Sequence, residues 1–203
     1  MREDTAPDGR TDNRITFSGL DADSKARHDP GGKVRIRLRQ NITGGARFSD
    51  CGRYRPLLWR DWAGAERSGY VLWVGMNPST ADGDADDPTV RRECDFTMSW
   101  GYGAYRKCNV MDLRATHPRD LLGDHAARSD ANLPTILEQA RSAEVVVLAF
   151  GALHKRLEHH GRETVEALAD LRNDIKCLGF TANGSPRHPL YLRKDSQLLD
   201  FAA

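Results

Sequence analysis

The chain has 203 residues, a net charge of +1, 39% hydrophobic and 29% charged residues. This length suffices for one α/β domain with a sizeable core. The near-neutral charge excludes a strongly basic nucleic-acid coat, although a local basic groove remains compatible with it. No apolar run approaches the roughly 20 residues that span a bilayer, and the polar start at residues 1–4 lacks the apolar core of a secretion signal. We therefore expect a cytoplasmic protein that does not contact a membrane.

The cysteines and histidines are not spaced as metal ligands. The four cysteines are scattered without a CxxC pair, which is typical of core thiols in a cytosolic protein. Three histidines close in sequence do not form HExxH, and we expect them to be solvated. We therefore predict no metal ion and no cofactor. The residues concerned are Cys51, Cys94, Cys108, Cys177, His154, His159 and His160.

The first part of the chain divides into an arm and an antiparallel flank. Residues 1–32 are polar and rich in Asp, Gly and Pro, which predicts a flexible arm, and residues 33–203 form a single domain. Residues 33–39 alternate basic and apolar side chains, as in a solvated edge strand. Gly44-Gly45 predicts a hairpin turn, with strands on either side and a further strand at 53–59.

The most informative stretch is Tyr70-Val71-Leu72-Trp73-Val74-Gly75, followed by Met76-Asn77-Pro78-Ser79-Thr80. A short apolar strand of this kind suits the centre of a parallel sheet that is covered on both faces. Ligands of open α/β sheets bind beyond the carboxyl ends of such strands, where Asn77 would offer a donor and an acceptor. The alternative is that Asn77-Pro78 forms only a turn.

Strands and helices alternate through the rest of the chain. The acidic loop at 82–88 has oxygen ligands for a divalent cation but lacks the EF-hand pattern. The remaining predicted elements are a helix from an Asp87 cap to about Trp100, a strand at 104–111, a helix at 130–141 capped by Asp130, a strand at 144–151, a helix at 152–172 broken at Gly161, and a strand at 175–179. This alternation predicts a three-layer α/β/α fold with a central four-stranded, mainly parallel sheet and the N-terminal antiparallel flank.

Three loops should meet at one edge of this sheet: residues 75–78, 109–114 and 187–189. The chain contains no GxGxxG, GxxxxGK[ST] or GxSxG motif, so a dinucleotide site, a P-loop and a hydrolase elbow are unsupported.

These loops resemble the motifs of the uracil-DNA glycosylase superfamily. Gly75-Met76-Asn77-Pro78 is similar to its GxNP motif, and His188-Pro189-Leu190 is similar to the His-Pro loop that closes over a flipped base. Asn109 resembles the asparagine that reads the base edge, and Phe150-Gly151 resembles the end of the third strand. The likeness runs from about residue 70 to 192. The chain also resembles a bacterial and phage family of uncharacterised domains with the pattern MNPSTAD…DPT…R…HPLY.

The resemblance implies a monomeric, cofactor-free DNA glycosylase with a uracil-DNA glycosylase-like fold. Its substrate would be a base flipped out of single- or double-stranded DNA. Asn77 would position the attacking water and His188 would donate to the leaving base; Asp82, Asp84 or Asp87 could supply a carboxylate instead. The residues expected around the base are Gly75, Met76, Pro78, Ser79, Asp87, Asn109, Arg114 and Pro189. Those expected at the DNA are Arg187, Arg193 and Lys194 on phosphates, and Leu190 or Tyr191 as a wedge.

The first motif departs from the well-studied branches at Ser79, where a tyrosine would block a substituent on C5 of the base. The resemblance therefore implies a larger, modified pyrimidine, C5-hypermodified or glucosylated, as in phage DNA, and with it a role in anti-phage defence. Two alternatives stay open: a nucleotide- or base-modifying transferase or hydrolase on the same fold, and a non-catalytic nucleic-acid or nucleotide sensor.

Overall fold

The computed structural model describes residues 35–201, which form nine strands, three helices and two short 3-10 turns. The strands are β1 (Ile36–Arg37), β2 (Ile42–Arg47), β3 (Leu57–Trp62), β4 (Arg67–Gly75), β5 (Ala85–Asp86), β6 (Tyr102–Asn109), β7 (Val145–Leu148), β8 (Ile175–Cys177) and β9 (Leu199–Asp200). The helices are α1 (Pro88–Ser99), α2 (Asn132–Ser142) and α3 (Glu158–Leu171), and the 3-10 turns are Pro118–Leu122 and Pro189–Tyr191. The arm predicted at 1–32 lies outside the described residues.

Seven of these strands form one mixed sheet in the order β2-β3-β6-β4-β7-β8-β9. Strands β6, β4, β7 and β8 pair in parallel, whereas β2, β3 and β9 join the two edges in antiparallel pairing. The α/β class is confirmed. The sheet is larger and more mixed than the predicted four-stranded one, because the N-terminal flank and the C-terminal β9 both extend it.

Strand β4 runs through the centre of the sheet and is buried on both faces. Val71 and Trp73 pack into the core beside α1, where Trp73 stacks on Trp100 at 5.6 Å between ring centroids. Leu72 and Val74 belong to the core on the other face, with α2 and α3. Helices on both faces leave only the strand ends accessible, as expected for a parallel α/β sheet.

The N-terminal flank differs from its prediction in three places, of which the first is the strand predicted at 53–59, found as β3 at Leu57–Trp62. The strand predicted at 33–39 is reduced to β1, which pairs with β5 outside the main sheet, and residues 33–34 are not described. Gly44 and Gly45 lie inside β2 and do not form a turn. A Cβ on Gly44 would lie 2.8 Å from Cδ of Arg60, so the glycine makes room for side chains of β3 that cross over β2.

The helix boundaries were predicted with mixed success. Asp87 caps α1 as expected, and its carboxylate accepts the backbone N–H of Val90 at 2.9 Å. Asp130 does not cap α2, because Ala131 occupies the cap position and α2 has no side-chain cap. Gly161 does not break α3; a Cβ there would lie 2.6 Å from Leu153, so the glycine permits close packing.

No helix between residues 35 and 201 is long and apolar enough to cross a membrane. Three of the four cysteines are buried, as predicted for core thiols, whereas Cys51 is exposed. His154 and His159 are exposed as predicted, but His160 is half-buried against the His159 ring, 3.9 Å away between centroids.

Candidate functional site

The three predicted loops meet at the carboxyl ends of the parallel strands. The loop after β6 donates backbone hydrogen bonds to the carbonyls of Gly75 and Pro78, both at 2.9 Å. The N–H of Gly151, which follows β7, donates to the carbonyl of Pro186 at 2.8 Å. A Cβ on Gly151 would lie 3.7 Å from the Cβ of His188. These contacts fix the loop that carries His188 over the same edge as Gly75.

Asn109, the last residue of β6, is 1% exposed, and neither its Oδ1 nor its Nδ2 has a hydrogen-bond partner. A Cβ on neighbouring Gly75 would lie 2.9 Å from Asn109 Oδ1, so the amide lies directly beside the glycine. A buried polar group left unpaired costs about 1–3 kcal/mol. Because such groups are rare in native proteins, this amide is a candidate for ligand binding.

A buried ionic cluster lies two residues earlier on the same face of β6. Lys107 is 5% exposed, and its Nζ donates to Oε1 of fully buried Glu93 on α1 at 2.5 Å. The hydroxyl of Tyr105 donates to Glu93 Oε2 at 2.6 Å. Burial raises the pKa of Glu93, and the charge and hydrogen bond of Lys107 oppose that rise.

Sequence reasoning missed Lys107 and Glu93. Alternate residues of a strand share one face, so Tyr105, Lys107 and Asn109 were already assignable to a common face. The signal that could have identified Lys107 is the occurrence of a lysine at a buried position of a central strand. The partner Glu93 on α1 was not visible without the packing of α1 against that face.

His188 stands at the start of the 3-10 turn Pro189–Tyr191, and its Nδ1 accepts the N–H of Leu190 at 3.4 Å. The hydrogen of the neutral ring therefore sits on Nε2, which is free to donate. Burial and the positive charge of Lys107 lower the pKa of His188 to about 4, while Asp87 acts in the opposite direction. His188 is thus a neutral hydrogen-bond donor at pH 7.

Asn77 stabilises its own loop. Its Nδ2 donates to the carbonyls of Pro78 at 2.9 Å and Ala115 at 2.8 Å. With both N–H groups used, the side chain can offer a water or a ligand only its Oδ1 acceptor. The hydroxyls of Ser79 and Thr80, the two residues after Pro78, are buried and have no hydrogen-bond partner.

Several other residues that were predicted at the site pack into the core or hold loops together. Met76 packs against the core on the α2–α3 face, and Pro78 and Pro189 are buried. Arg114 stacks over the ring of Phe48 at 5.0 Å and donates to a backbone carbonyl of the N-terminal flank.

The acidic loop is held by arginines. Asp82 pairs with Arg35 at 2.6 Å and also accepts backbone N–H groups within its loop, and Asp86 pairs with buried Arg60 at 2.9 Å. The carboxylate of Asp82 is therefore committed to the fold, whereas that of Asp87 caps α1 and its charge opposes the lowering of the His188 pKa. Among residues 35–201, no three His, Cys, Asp or Glu side chains are grouped closely enough to hold a metal ion.

The rim of the site is formed by the loop after His188. Leu190 is 38% and Tyr191 87% exposed, and the Tyr191 ring lies 6.2 Å from the His188 ring. Arg187 and Lys194 are exposed as well. Arg193 is paired with Asp195 at 3.0 Å, which neutralises its charge.

Two cavities lie away from this edge. One, of about 680 Å³, opens between Arg67, Trp100 and Tyr102 at the amino ends of the parallel strands. The other, of about 390 Å³, lies between β2 and the start of α2. Neither is lined by Gly75, Asn109 or His188. The unpaired amide and the buried charges, rather than cavity size, identify the carboxyl edge as the candidate site.

Sequence comparison gives this site a family context. No curated protein matches the chain. A family model, DUF1643, described as a protein of unknown function, matches residues 53–190. The matched segment includes Gly75-Met76-Asn77-Pro78, Lys107, Asn109 and His188 with the first two residues of the turn that follows it. Because the match covers more than half of the chain, the protein belongs to the DUF1643 family.

Proposed function

We propose that this protein is a DNA glycosylase that hydrolyses the N-glycosidic bond of a modified pyrimidine flipped out of DNA. The observation that carries the proposal is the amide of Asn109, which is buried and unpaired beside Gly75 at the carboxyl edge of the sheet. An amide offers one acceptor and two donors, which match the alternating groups on the edge of a pyrimidine. The parallel strands covered by helices on both faces support a uracil-DNA glycosylase-like fold.

The neighbouring groups suit this chemistry. Glycosidic cleavage leaves an anionic base and an oxocarbenium-like sugar, so the site must stabilise negative charge on the base and orient a water. Neutral His188 supplies an Nε2–H donor to the base, since its Nδ1 is already an acceptor. The Oδ1 of Asn77 can accept a hydrogen of the attacking water, because its N–H groups hold the loop.

The loop surroundings favour a modified base over uracil. Ser79 is small, and its hydroxyl is buried without a partner, as is that of Thr80. Both hydroxyls can pair with a polar substituent on C5, such as a hydroxymethyl or glucosyl group. Exposed Leu190 and Tyr191 can fill the gap that a flipped base leaves in the stack.

A base-release assay tests the proposal. The protein is incubated with DNAs that contain uracil, hydroxymethylated or glucosylated pyrimidines, and free bases are detected by mass spectrometry. We expect one modified base to be released by the wild type and by the exposed-histidine control His125→Gln, but not by His188→Gln or Asn77→Ala. Intact DNA after long incubation with every substrate would reject the glycosylase.

A second candidate is a hydrolase or transferase of free modified nucleotides. The observation that favours it is the pairing of Arg193 with Asp195, which compensates one of the three cations expected on phosphates at the rim. The same bases supplied as free nucleotides test it, and duplex binding with a steep salt dependence would count against it. If cells with Asn77→Ala kept the biological activity of cells with the wild type, a non-catalytic sensor would replace both the glycosylase and the nucleotide enzyme.

A further inference from the structure

We propose that Lys107 is a further catalytic residue of this site, whose ammonium contacts the leaving base and stabilises its developing negative charge. The inference rests on the proposed function. In the step concerned, the C1′–N bond breaks and its electron pair passes to the base. Water then bonds to C1′, and the proton that it loses neutralises the base anion through solvent.

Stability alone does not account for a charged pair at this position. Lys107 is 5% exposed and Glu93 is fully buried. Replacing a buried ion pair by apolar side chains of similar volume is often neutral or stabilising, because desolvation offsets the attraction between the charges. A buried pair at the ligand-facing edge of a sheet is therefore a candidate for function.

The ammonium has donors to spare and lies against the loop that begins at Gly75. Lysine carries three N–H donors, and among the described residues Lys107 has one hydrogen-bond acceptor, Glu93 Oε1 at 2.5 Å. A Cβ on Gly75 would lie 2.5 Å from Nζ, so the ammonium occupies the place of that side chain and lies directly against the backbone where the loop begins. Any residue other than glycine would displace the lysine.

Asn109 supplies an independent indication of a ligand at the same place. Its Oδ1 would lie 2.9 Å from the same Cβ position on Gly75, and both of its polar atoms are unpaired. Lys107 and Asn109 therefore approach one point from adjacent positions on the same face of β6. A base that pairs with the amide would bring its carbonyl oxygens and ring nitrogens close to the ammonium.

Glu93 acts here as a positioning residue. Its two carboxylate oxygens are held by Lys107 and by the Tyr105 hydroxyl, at 2.5 and 2.6 Å, so the lysine is fixed before the base arrives. A charge that is oriented in advance stabilises a developing anion without a reorganisation cost during the reaction.

The experiment measures single-turnover release of a series of C5-substituted pyrimidines whose leaving-group acidity differs. We expect Lys107→Met to slow the least acidic leaving groups by roughly 10²–10³-fold and the most acidic ones far less. The rate then depends more steeply on leaving-group acidity. Lys107→Arg should restore the shallow dependence. Lys176→Met is the matched control, because Lys176 forms a 2.5 Å pair with Asp200 on strands β8 and β9.

Removing Lys107 alone leaves the Glu93 carboxylate buried and unpaired, so the double variant Lys107→Met/Glu93→Gln is measured beside it. An equal slowing of all leaving groups, or none, in a folded variant would overturn the role of Lys107 and leave the glycosylase intact.

Should the wild type release no base from any DNA, binding of free 5-fluorouracil at a pH where it is an anion becomes the test. Binding at least tenfold tighter by the wild type than by the Lys107 variants would support the anion contact although the glycosylase had failed. Equal binding by the wild type and the Lys107 variants, or no binding by either, would overturn the anion contact together with the glycosylase.

Discussion

Asn109 combines an unfavourable contribution to folding with a position at the candidate site. Its two polar atoms are buried without partners, so an apolar side chain of similar size should stabilise the fold. We expect Asn109→Leu to raise the free energy of unfolding by about 1–2 kcal/mol in urea denaturation. The same variant should lose base release by at least 100-fold.

Asn132 is the matched control for this substitution. Its Oδ1 is unpaired, like that of Asn109, but its Nδ2 donates to the carbonyls of Asn109 and Val110 at 3.0 and 3.1 Å, and an apolar side chain would leave both carbonyls without this donor. Asn132→Leu should lower the free energy of unfolding by about 1–3 kcal/mol. A loss of stability in Asn109→Leu as well would mean that the Asn109 amide has a partner in the folded protein.

His188 makes stability depend on pH. Its pKa falls from 6.5 to about 4 on folding, because burial and Lys107 disfavour the charged ring. Between pH 6.5 and about 4 the unfolded chain therefore binds a proton that the folded chain does not, and stability decreases as the pH falls. Allowing for partial solvent screening, we expect wild type to lose about 1 kcal/mol more than His188→Gln between pH 7 and 4.5.

The comparison is made by urea denaturation of both proteins at the two pH values. Identical losses of stability in the two proteins would show that folding does not lower the pKa of His188. A ring that stays neutral also predicts that His188 contributes no decline in base-release rate between pH 8 and 5.5, since its Nε2–H is retained throughout.

At the scale of elements, Asp87 has two roles that substitution can separate. It caps α1 through the N–H of Val90, and its negative charge acts on His188. Asp87→Ala should lose about 1 kcal/mol of stability, whereas Asp87→Ser keeps a capping oxygen and should lose only a few tenths. If Asp87 supplies the catalytic carboxylate, both variants lose base release. If Asn77 positions the water, Asp87→Ser remains active.

Arg60 joins strand β3 to the loop before α1. Its guanidinium pairs with Asp86 at 2.9 Å and donates to the carbonyls of Asp82 and Ala85 at 2.7 and 3.1 Å, all without access to water. Arg60→Met should therefore cost about 3–5 kcal/mol in denaturant unfolding. Arg193→Met, in an exposed pair, should leave the unfolding midpoint unchanged. Unchanged stability of Arg60→Met would mean that the loop before α1 does not depend on its contacts with β3.

For the whole molecule, local sequence patterns were sufficient where burial is uniform. The apolar run at Val71–Val74 specified a central strand, and Asp87-Pro88 specified the start of a helix, because these signals act within a few residues. The same patterns predicted that Gly75, Asn109 and His188 lie at one edge of the sheet.

The features that the sequence did not predict depend on contacts between distant parts of the chain. Local sequence predicts a turn at Gly44 and Gly45. The side chains of Arg60 and Trp59, which cover these glycines, belong to another strand and are not visible in the local pattern. Pairing of β9 with β8, and the Lys107–Glu93 bond between a strand and a helix, likewise depend on tertiary packing. Patterns of period 2 or 3.6 describe a face, but they do not identify its partner.

The last prediction concerns how the molecule as a whole meets DNA. If duplex DNA crosses the loop after His188, Arg187 and Lys194 neutralise phosphates, and each contact contributes about 0.9 to the slope of log affinity against log salt. Arg187→Gln/Lys194→Gln should reduce that slope by about 2 and weaken binding of all sequences similarly, without slowing release from saturating DNA. Fluorescence anisotropy at several salt concentrations measures it, with Arg141→Gln at the opposite edge of the sheet as control. A slope that drops equally in the control, or in neither protein, would place the DNA elsewhere and favour a free nucleotide as substrate.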